Sequence, residues 1–375
     1  MLNVMTVVGT RPEIIRLSRI INEIDKYFNH TLVHTGQNYD FELNEIFFSE
    51  LGIRKPNKFL NAAGKTPSQT IGNVLIELDK VFSRKCPDAL VILGDTNSCI
   101  SAIVAKRYKV PIFHLEAGNR CFDMRVPEEI NRKIVDHTSD IHLTYSQIAK
   151  DYLLREGIDP DQIITIGSPM KEVIIYYMPK IESSEALKKL NLRKEKYFVF
   201  SFHREENVDD DNNLKKILNT LNTLAGKYKQ QIIVSTHPRT KKRIKAINFS
   251  PNPLIKFMKP FGFIDYINLQ MNSRCVISDS GTITEESSIL NFPALNLREV
   301  HERPEGFEET SVMMVGLEKN RIIEGINILD DQSKGEVRDI KLVKDYDVDN
   351  VSMKVVRIIQ SYTDFINRKI WHKKN

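Results

Sequence analysis

Short apolar runs rich in β-branched residues recur along the first half of the chain, and apolar residues at helical spacing follow each run. The runs occupy residues 4–9, 31–35, 90–94, 112–115, 141–145 and 163–166. Buried strands that alternate with amphipathic helices are typical of a parallel sheet built from βαβ units. The pattern therefore predicts an open α/β domain in the first half.

The helical period is clearest in two segments of this half. Pro12, at a favoured position in the first turn, precedes an apolar face made of Ile14, Leu17, Ile21, Ile24 and Phe28. A second face is made of Ile71, Val74, Leu75, Leu78 and Phe82. Both patterns predict amphipathic helices.

The alternation pauses after Gly167, where the charged stretch from Met170 to Lys196 has helical but no strand character. It restarts with apolar runs at 197–202, 232–236, 254–258, 275–278, 293–297 and 312–315. We predict two Rossmann-like, doubly wound parallel-sheet domains, residues 1–169 and 170–351. A final helical pattern lies in 352–375, and the pattern alone does not decide whether this helix packs on the first domain. Ligands of open α/β sheets bind at the carboxyl ends of the strands, so we expect the active site in the interdomain cleft.

Composition excludes several other classes of protein. The 375 residues include 41% hydrophobic and 27% charged side chains, which suits a soluble globular enzyme. No apolar run approaches the roughly 18 residues that cross a bilayer, and a strand pattern begins at Val4, so we expect a cytoplasmic protein without a signal peptide. Four cysteines lack CxxC spacing, which argues against zinc and disulfides, and the interspersed net charge of +5 argues against nucleic acid.

Two turns between a strand and a helix are candidate anion sites. The first is Gly9-Thr10-Arg11-Pro12-Glu13, although it is equally interpreted as a tight turn in which Arg11 pairs with a nearby carboxylate. The second runs from Asp279 to Glu286, where small residues expose N–H groups to a diphosphate and Glu286 accepts ribose hydroxyls. Alternatively, Glu285 and Glu286 only complement the helix dipole. No GxGxxG fingerprint occurs, so bound NAD is disfavoured.

Three carboxylates follow strands of the first domain: Asp95, Glu116 and Glu128. If their strands are parallel neighbours, Asp95 and Glu116 point into one crevice. Acidic groups at such places are costly unless they are paired or used in chemistry. The alternative for Glu128 is a helix N-terminal charge stabilised by the dipole and by Arg132, four residues later.

Basic residues end several strands of the second domain. His203 follows the run at 197–202 and precedes Arg204, so the pair is placed to hold or protonate a leaving phosphate. A lone histidine at a strand end is more often structural. The functional interpretation of His203 is supported by the charged residues beside it. We also expect a phosphate-facing wall at His237 to Arg239, and a further contribution to the cleft from His301 to Glu305.

Seven motifs in the correct order, from Gly9 to Gly316, resemble the non-hydrolysing UDP-N-acetylglucosamine 2-epimerases. They are Gly9-Thr10-Arg11-Pro12-Glu13, Gly94-Asp95-Thr96, His114-Leu115-Glu116-Ala117-Gly118, Pro127-Glu128-Glu129 with Asn131-Arg132, His203-Arg204, Asp279-Ser280-Gly281 with Glu285-Glu286, and Glu302-Arg303-Pro304-Glu305. Any one of them is a weak signal, whereas the ordered set is specific.

The resemblance implies a fold like that of the two-domain GT-B glycosyltransferases, in which the C-terminal helix in 352–375 returns to the first domain. It also implies a homodimer and a UDP-activated 2-acetamido sugar as substrate, with no cofactor or metal. It implies acid/base roles for Asp95, Glu116 and Glu128, and a catalytic or UDP-facing role for His203. It also implies that Arg11 and His203 face the UDP and that Ser280, Gly281 and Glu286 hold phosphate and ribose. With their neighbours, the expected substrate-binding residues are Arg11, Arg16, His203, Arg204, Ser280, Gly281, Thr282, Glu286 and Arg303.

The chain also departs from the family pattern. Arg16 stands where lysine is usual, Thr282 replaces a second glycine, and Gln37 to Asp40 replaces the segment tied to an allosteric nucleotide site. Asn119 replaces the usual leucine in Gly118-Asn119-Arg120, and the loop continues from Cys121 to Val126. Apart from Arg16, these variants resemble the branch that converts UDP-2-acetamido-2,6-dideoxy-L-talose to UDP-N-acetyl-L-fucosamine for capsule or O-antigen. The alternative substrate pair is UDP-N-acetylglucosamine and UDP-N-acetylmannosamine.

The reaction implied by this resemblance eliminates UDP to a 2-acetamidoglycal and then adds UDP back. Three rivals remain open: a GT-B glycosyltransferase, a hydrolysing epimerase that releases free sugar, and a UDP-sugar binder without turnover. The three carboxylates of the first domain argue against the glycosyltransferase and against the binder, neither of which has a use for them together.

Overall fold

The computed structural model describes residues 1–37, 47–247, 249–300 and 302–373. The chain divides into two compact units: unit 1 is Met1–Tyr176 with Lys344–Asn375, and unit 2 is Tyr177–Val343. These bounds differ by several residues from the boundaries predicted from sequence, 169/170 and 351/352. A continuous helix, Met170–Glu182, begins at the first predicted boundary and contains the junction between Tyr176 and Tyr177.

Unit 1 alternates strands and helices in the predicted manner. Its strands are β1 Asn3–Val8, β2 Asn29–His34, β3 Lys58–Phe59, β4 Ala89–Leu93, β5 Ile112–Leu115, β6 Ile141–Thr144 and β7 Ile163–Thr165. Its helices are α1 Arg11–Tyr27, α2 Pro67–Arg84, α3 Ala102–Arg107, α4 Pro127–Thr138, α5 Gln147–Arg155, the start of α6 Met170–Glu182, and the C-terminal helix Val351–Lys369.

Within the described residues, the strands of unit 1 form one parallel sheet in the order β3-β2-β1-β4-β5-β6-β7. Every residue of β4 and β5 is buried, as expected for central strands covered by helices on both faces. The strand order reverses between β1 and β4. The turn at Gly9 and the Gly94-Asp95 turn therefore leave adjacent strands at the switch point, where open α/β sheets bind ligands.

Unit 2 repeats the same architecture. Its strands are β8 Tyr197–Ser201, β9 Gln231–Ser235, β10 Ile255–Met258, β11 Cys275–Ser278, β12 Ala294–Asn296 and β13 Met313–Met314. Its helices are α7 Ala186–Lys189, α8 Glu205–Val208, α9 Asp211–Tyr228, α10 Pro238–Ala246, α11 Phe263–Met271, α12 Ile283–Leu290, α13 Pro304–Glu308 and α14 Lys319–Leu329.

The described strands of unit 2 form a second parallel sheet, in the order β10-β9-β8-β11-β12-β13. Its switch point lies between β8 and β11. His203 follows β8 and Asp279 follows β11, so the two residues leave neighbouring strands at the same edge. The predicted fold class, two Rossmann-like parallel-sheet domains, is confirmed.

The C-terminal helix Val351–Lys369, hereafter α15, belongs to unit 1 and packs against α1. Its first turn is anchored by Glu172 of α6, which accepts a hydrogen bond of 2.8 Å from the backbone N–H of Ser352. Among the described helices, none is both long enough and apolar enough to cross a membrane.

Candidate functional site

The turn between β1 and α1 is organised around a buried carboxylate. Glu13 accepts the backbone N–H groups of Gly9 at 2.9 Å and Thr10 at 2.6 Å, and also the hydroxyls of Thr96 and Ser98 from the turn after β4. Burial raises the pKa of Glu13, although these hydrogen bonds oppose the rise. Because Glu13 takes up the N–H groups of the turn, an anion here would be held by the Arg11 side chain rather than by the backbone.

The side chains of Arg11 and Arg16, both on α1, lie in different environments. The Arg11 guanidinium lies 5.6 Å from the centre of the Phe47 ring. Arg16 is buried, and its Nη1 donates to Glu116 Oε2 at 2.7 Å, with the Tyr145 ring 5.8 Å away. The structure therefore joins Arg16 to the second of the three carboxylates.

Glu116 occupies an unusual backbone position directly after β5. Its φ of +62° lies in the left-handed region, which a side chain adopts only when surrounding contacts hold it there. Besides Arg16, the Asn119 amide donates to Glu116 Oε1 at 3.1 Å. Both carboxylate oxygens are thus oriented by neighbouring donors.

Asp95 is paired with Arg132 of α4. Arg132 Nε and Nη2 lie 2.8 and 2.7 Å from Asp95 Oδ2, and Arg132 Nη1 donates to Glu129 at 3.0 Å. Arg132 thus contacts Asp95 and Glu129, whereas the alternative drawn from sequence paired it with Glu128. Among the described residues, the half-buried Glu128 carboxylate has neither a hydrogen bond nor an ion pair.

A buried histidine supports the backbone before Asp95. His114 Nε2 lies 2.8 Å from the carbonyl oxygen of Gly94, and its Nδ1 lies 2.9 Å from Asp136 of α4. Asp136 also accepts from Arg120 Nη1 at 2.7 Å. Burial alone would raise the pKa of Asp136, but His114 and Arg120 outweigh burial and hold that pKa well below its usual value.

In unit 2, the fully buried Asp279 organises the turn after β8. It accepts the backbone N–H groups of His203 and Arg204 at 3.0 Å each, and the Asn207 amide at 3.0 Å. His203 Nδ1 lies 3.1 Å from Asp279 Oδ1, while about half of the imidazole remains exposed. Burial alone would raise the pKa of Asp279, but His203 and the hydrogen bonds outweigh it and lower the pKa to about 2.

The turn that follows Asp279 is closed by two hydroxyls. Ser280 Oγ and Thr282 Oγ1 are 3.0 Å apart, and Ser280 Oγ accepts the N–H of Thr282 at 3.3 Å. A Cβ on Gly281 would lie 3.4 Å from Glu302 Oε2, at ordinary van der Waals contact with that carboxylate. Thr282, where the family often has glycine, therefore contributes a hydroxyl to the turn.

Three arginines surround this turn. Arg204 and Arg298 both donate to Glu302, at 3.3 and 2.8 Å, and Arg303 Nε lies 3.1 Å from Glu285 and donates to the Gly281 carbonyl at 3.2 Å. Guanidinium groups beside a helix N-terminus favour bound phosphate. Sequence reasoning missed Arg298, although its position directly after a buried strand is a signal that could have found it.

The remaining predicted residues have more varied surroundings. Glu286 is buried and accepts from the Gln270 amide at 2.9 Å, a partner that sequence reasoning also missed. Arg239 forms surface ion pairs with Glu205, at 2.7 Å, and with Asp209. We had expected this arginine to face a phosphate.

Two predicted features lie outside the described residues. They are His301 and the segment 38–46, which covers most of the loop tied to allostery.

Each unit thus gathers its own candidate groups at its switch point. Unit 1 brings Asp95 and Glu116 to adjacent strand ends and connects Asp95 to the helix that carries Glu128. Unit 2 brings His203, Arg204, Ser280, Gly281, Thr282 and Arg303 around Asp279 and Glu302. No cluster of His, Cys, Asp and Glu suited to a metal ion occurs among the described residues.

Comparison with known proteins connects this geometry to an enzyme family. The sequence model of the family described as UDP-N-acetylglucosamine 2-epimerase matches residues 22–360. The solved UDP-N-acetylglucosamine 2-epimerase of Rickettsia bellii is 50% identical over the full length of both chains, with a TM-score of 0.92.

Two further matches extend the comparison. The Methanocaldococcus jannaschii UDP-GlcNAc 2-epimerase, solved with UDP-GlcNAc and UDP, is 35% identical over 96% of this chain and 99% of that chain, with a TM-score of 0.89. The UDP-2,3-diacetamido-2,3-dideoxy-D-glucuronate 2-epimerase of Pseudomonas aeruginosa is 31% identical over 86% of this chain and 91% of its own length. The matched proteins share C2 epimerisation in their names but differ in the sugar.

Proposed function

The chain belongs to the UDP-N-acetylglucosamine 2-epimerase family, and on that premise we propose that it inverts C2 of a UDP-activated 2-acetamido sugar. The observation that carries the proposal is the pair of carboxylates, Asp95 and Glu116, at adjacent strand ends of unit 1, each held by a buried arginine. A UDP-binding protein without C2 chemistry has no need of that arrangement.

The proposed substrate is UDP-2-acetamido-2,6-dideoxy-L-talose, and the product is UDP-N-acetyl-L-fucosamine. The variant residues Thr282 and Asn119 support this branch. The second candidate is the interconversion of UDP-N-acetylglucosamine and UDP-N-acetylmannosamine, which the names of the Rickettsia and Methanocaldococcus relatives favour.

In this proposal, unit 2 binds the UDP portion. Arg204 and Arg303, together with the Ser280-to-Thr282 turn, supply the positive charge and the hydroxyls that a diphosphate requires. Glu286 accepts the ribose hydroxyls, and the exposed side of His203 donates to the leaving phosphate. The buried Asp279 supports this role because it orients the imidazole through Nδ1.

Unit 1 acts on the sugar ring. The C2 hydrogen is not next to a carbonyl, so its removal is coupled to breaking the C1–O bond: a carboxylate takes the proton as UDP departs, which leaves a 2-acetamidoglycal. Delivery of a proton to the opposite face of C2, with return of UDP to C1, gives the epimer. Ion pairs with Arg132 and Arg16 orient the Asp95 and Glu116 carboxylates, as proton transfer to or from a positioned side chain requires.

We also propose that the enzyme is a homodimer. Apolar side chains are exposed on the neighbouring helices α3 and α4 of unit 1, among them Ile103, Ile130 and Ile134. Exposed apolar patches on one face are typical of subunit contacts.

Light scattering tests the homodimer, and it should give twice the 43.3 kDa chain mass. Ile130→Glu should give the monomer, Ile328→Glu on unit 2 should leave the dimer intact, and a monomeric wild type would contradict the proposal.

Product analysis tests the proposed function and separates its rivals. The protein is incubated with each of the two candidate UDP-sugars, and the mixture is followed by NMR for the C2 epimer and by anion-exchange chromatography for free UDP. An epimer that forms without accumulating UDP supports the proposal. Stoichiometric UDP with free sugar would identify a hydrolysing enzyme, and an unchanged substrate in both cases would refute epimerisation of these sugars.

A further inference from the structure

We propose that Arg132 is a positioning residue that fixes the Asp95 carboxylate relative to the helix carrying Glu128. This inference rests on the proposed function, because it explains how two of the carboxylates that act at C2 are held in register. Arg132 itself is assigned no contact with the substrate.

Helix α4 holds Asp95 through both its side chain and its main chain. Arg132 Nε and Nη2 converge on one oxygen, Oδ2, at 2.8 and 2.7 Å. The neighbouring Asn131 amide donates to the Asp95 carbonyl oxygen at 2.8 Å. With one carboxylate oxygen and the carbonyl both held, the orientation of the carboxylate plane is fixed by the helix.

Arg132 is itself rigidly held. Its side chain is only 4% exposed, and its third nitrogen, Nη1, donates to Glu129 at 3.0 Å. Glu129 also accepts the backbone N–H groups of Cys121 and Phe122, at 3.1 and 3.3 Å. Burial alone would raise the pKa of Glu129, but these hydrogen bonds and the Arg132 charge lower it, so the guanidinium stays clamped between two carboxylates.

The same helix supports the backbone before Asp95 one turn further along. Asp136 binds His114, and His114 in turn reaches the carbonyl oxygen of Gly94 at 2.8 Å. Gly94 has a φ of +78°, so the chain bends sharply at this point. The contact from His114 therefore defines where the bend directs Asp95.

The spacing along α4 brings Glu128 into this arrangement. Residues 128, 132 and 136 are four apart, so their side chains lie on one face of the helix. Arg132 and Asp136 on that face both serve the Gly94–Asp95 turn. Glu128 is consequently on the side of α4 that faces Asp95, and Arg132 sets the relation between the two carboxylates.

Such positioning matters for turnover more than for binding. A misplacement of about 1 Å in a reacting group can lower the rate by about 10²-fold. We assign most of the substrate affinity to unit 2, whereas Arg132 acts on groups of unit 1. Loss of Arg132 should therefore lower kcat and leave KM nearly unchanged.

The test compares Arg132→Gln, Arg132→Lys and the control Arg54→Gln, which removes a different arginine–aspartate pair of unit 1, Arg54 with Asp25 at 2.9 Å. Steady-state epimerisation gives kcat and KM, and circular dichroism gives the melting temperature. We expect Arg132→Gln to lose about 10²-fold in kcat with KM changed less than about threefold. Arg132→Lys should recover part of that loss because it keeps a cation, and Arg54→Gln should match the wild type.

Two results would overturn the inference. One is a kcat for Arg132→Gln within about threefold of the wild type; the other is a loss in which kcat, KM and melting temperature change together and lysine restores nothing. If the proposed function itself is wrong, the result is different: the wild type and Arg54→Gln both fail to epimerise either UDP-sugar.

Discussion

Asp279→Asn tests whether one buried carboxylate organises the nucleotide side of unit 2. The wild-type carboxylate accepts the backbone N–H groups of His203 and Arg204 and the Asn207 amide, and it lies 3.1 Å from His203 Nδ1. Asparagine keeps the shape but removes the charge, and it places an NH₂ group where an acceptor is needed.

The magnitude follows from the carboxylate's own ionisation. Its pKa falls from 3.8 to about 2 in the folded protein. At about 1.4 kcal/mol per pKa unit, the ionised form contributes roughly 2 kcal/mol of stability at neutral pH. For a unit of this size, a loss of 2 kcal/mol corresponds to a melting temperature lower by about 4–8 °C.

The way this stability contribution changes with pH follows from the same two pKa values of Asp279. Because the folded pKa lies below the unfolded one, the contribution is complete above the unfolded pKa and is lost as pH falls from about 4 to 2. The difference in melting temperature between Asp279→Asn and the wild type should therefore shrink to about half between pH 7 and pH 3.

Scanning calorimetry at pH 7 and pH 3 measures both effects. Asp330→Asn, which breaks the partly exposed pair with Arg274 in the same unit, is the matched control and should cost less than about 1 kcal/mol. A variant that melts within about 1 °C of the wild type at pH 7, or a difference that stays constant down to pH 3, would refute the reasoning.

Two further predictions concern unit 1. Glu128→Gln should abolish epimerisation without changing the melting temperature, because Glu128 has no ion pair or hydrogen bond among the described residues; activity near the wild-type level would remove it from the chemistry. Gly118→Ala should lose more than about 2 kcal/mol of stability, since φ is +80° and the new Cβ would overlap the Ala149 carbonyl oxygen. The control Gly72→Ala, in open space on α2, should melt no lower than the wild type, and equal melting of the two variants would contradict the account.

The fold could be predicted from the sequence because its signals are local. Continuous apolar runs and 3.6-residue spacing define the strands and helices of each sheet without reference to distant residues. The two-residue strand β3, Lys58–Phe59, escaped this reasoning because it is too short for any period to show. The end of unit 1 within α6 escaped it because no break in the helix marks that boundary.

The candidate site was predictable only in part, for a related reason. Residues such as Asp95 and Asp279 stand at strand ends, and the topology alone brings them to one edge of a sheet. Their partners come from far along the chain: Arg16 and Glu116 are 100 residues apart. Spacing within α4 suggested that Arg132 pairs with Glu128. In the structure, Arg132 instead contacts Asp95, which lies far away in the sequence.

Solvent exchange at C2 is the measurement closest to the central claim, that carboxylates of unit 1 transfer protons at the sugar while unit 2 retains UDP. The protein is incubated in D₂O with UDP-2-acetamido-2,6-dideoxy-L-talose and, in parallel, with UDP-N-acetylglucosamine, and the recovered UDP-sugars are analysed by mass spectrometry and NMR. We predict deuterium at C2 of the epimer with the wild type, and almost none with Asp95→Asn. An epimer that keeps its original C2 hydrogen would contradict the account.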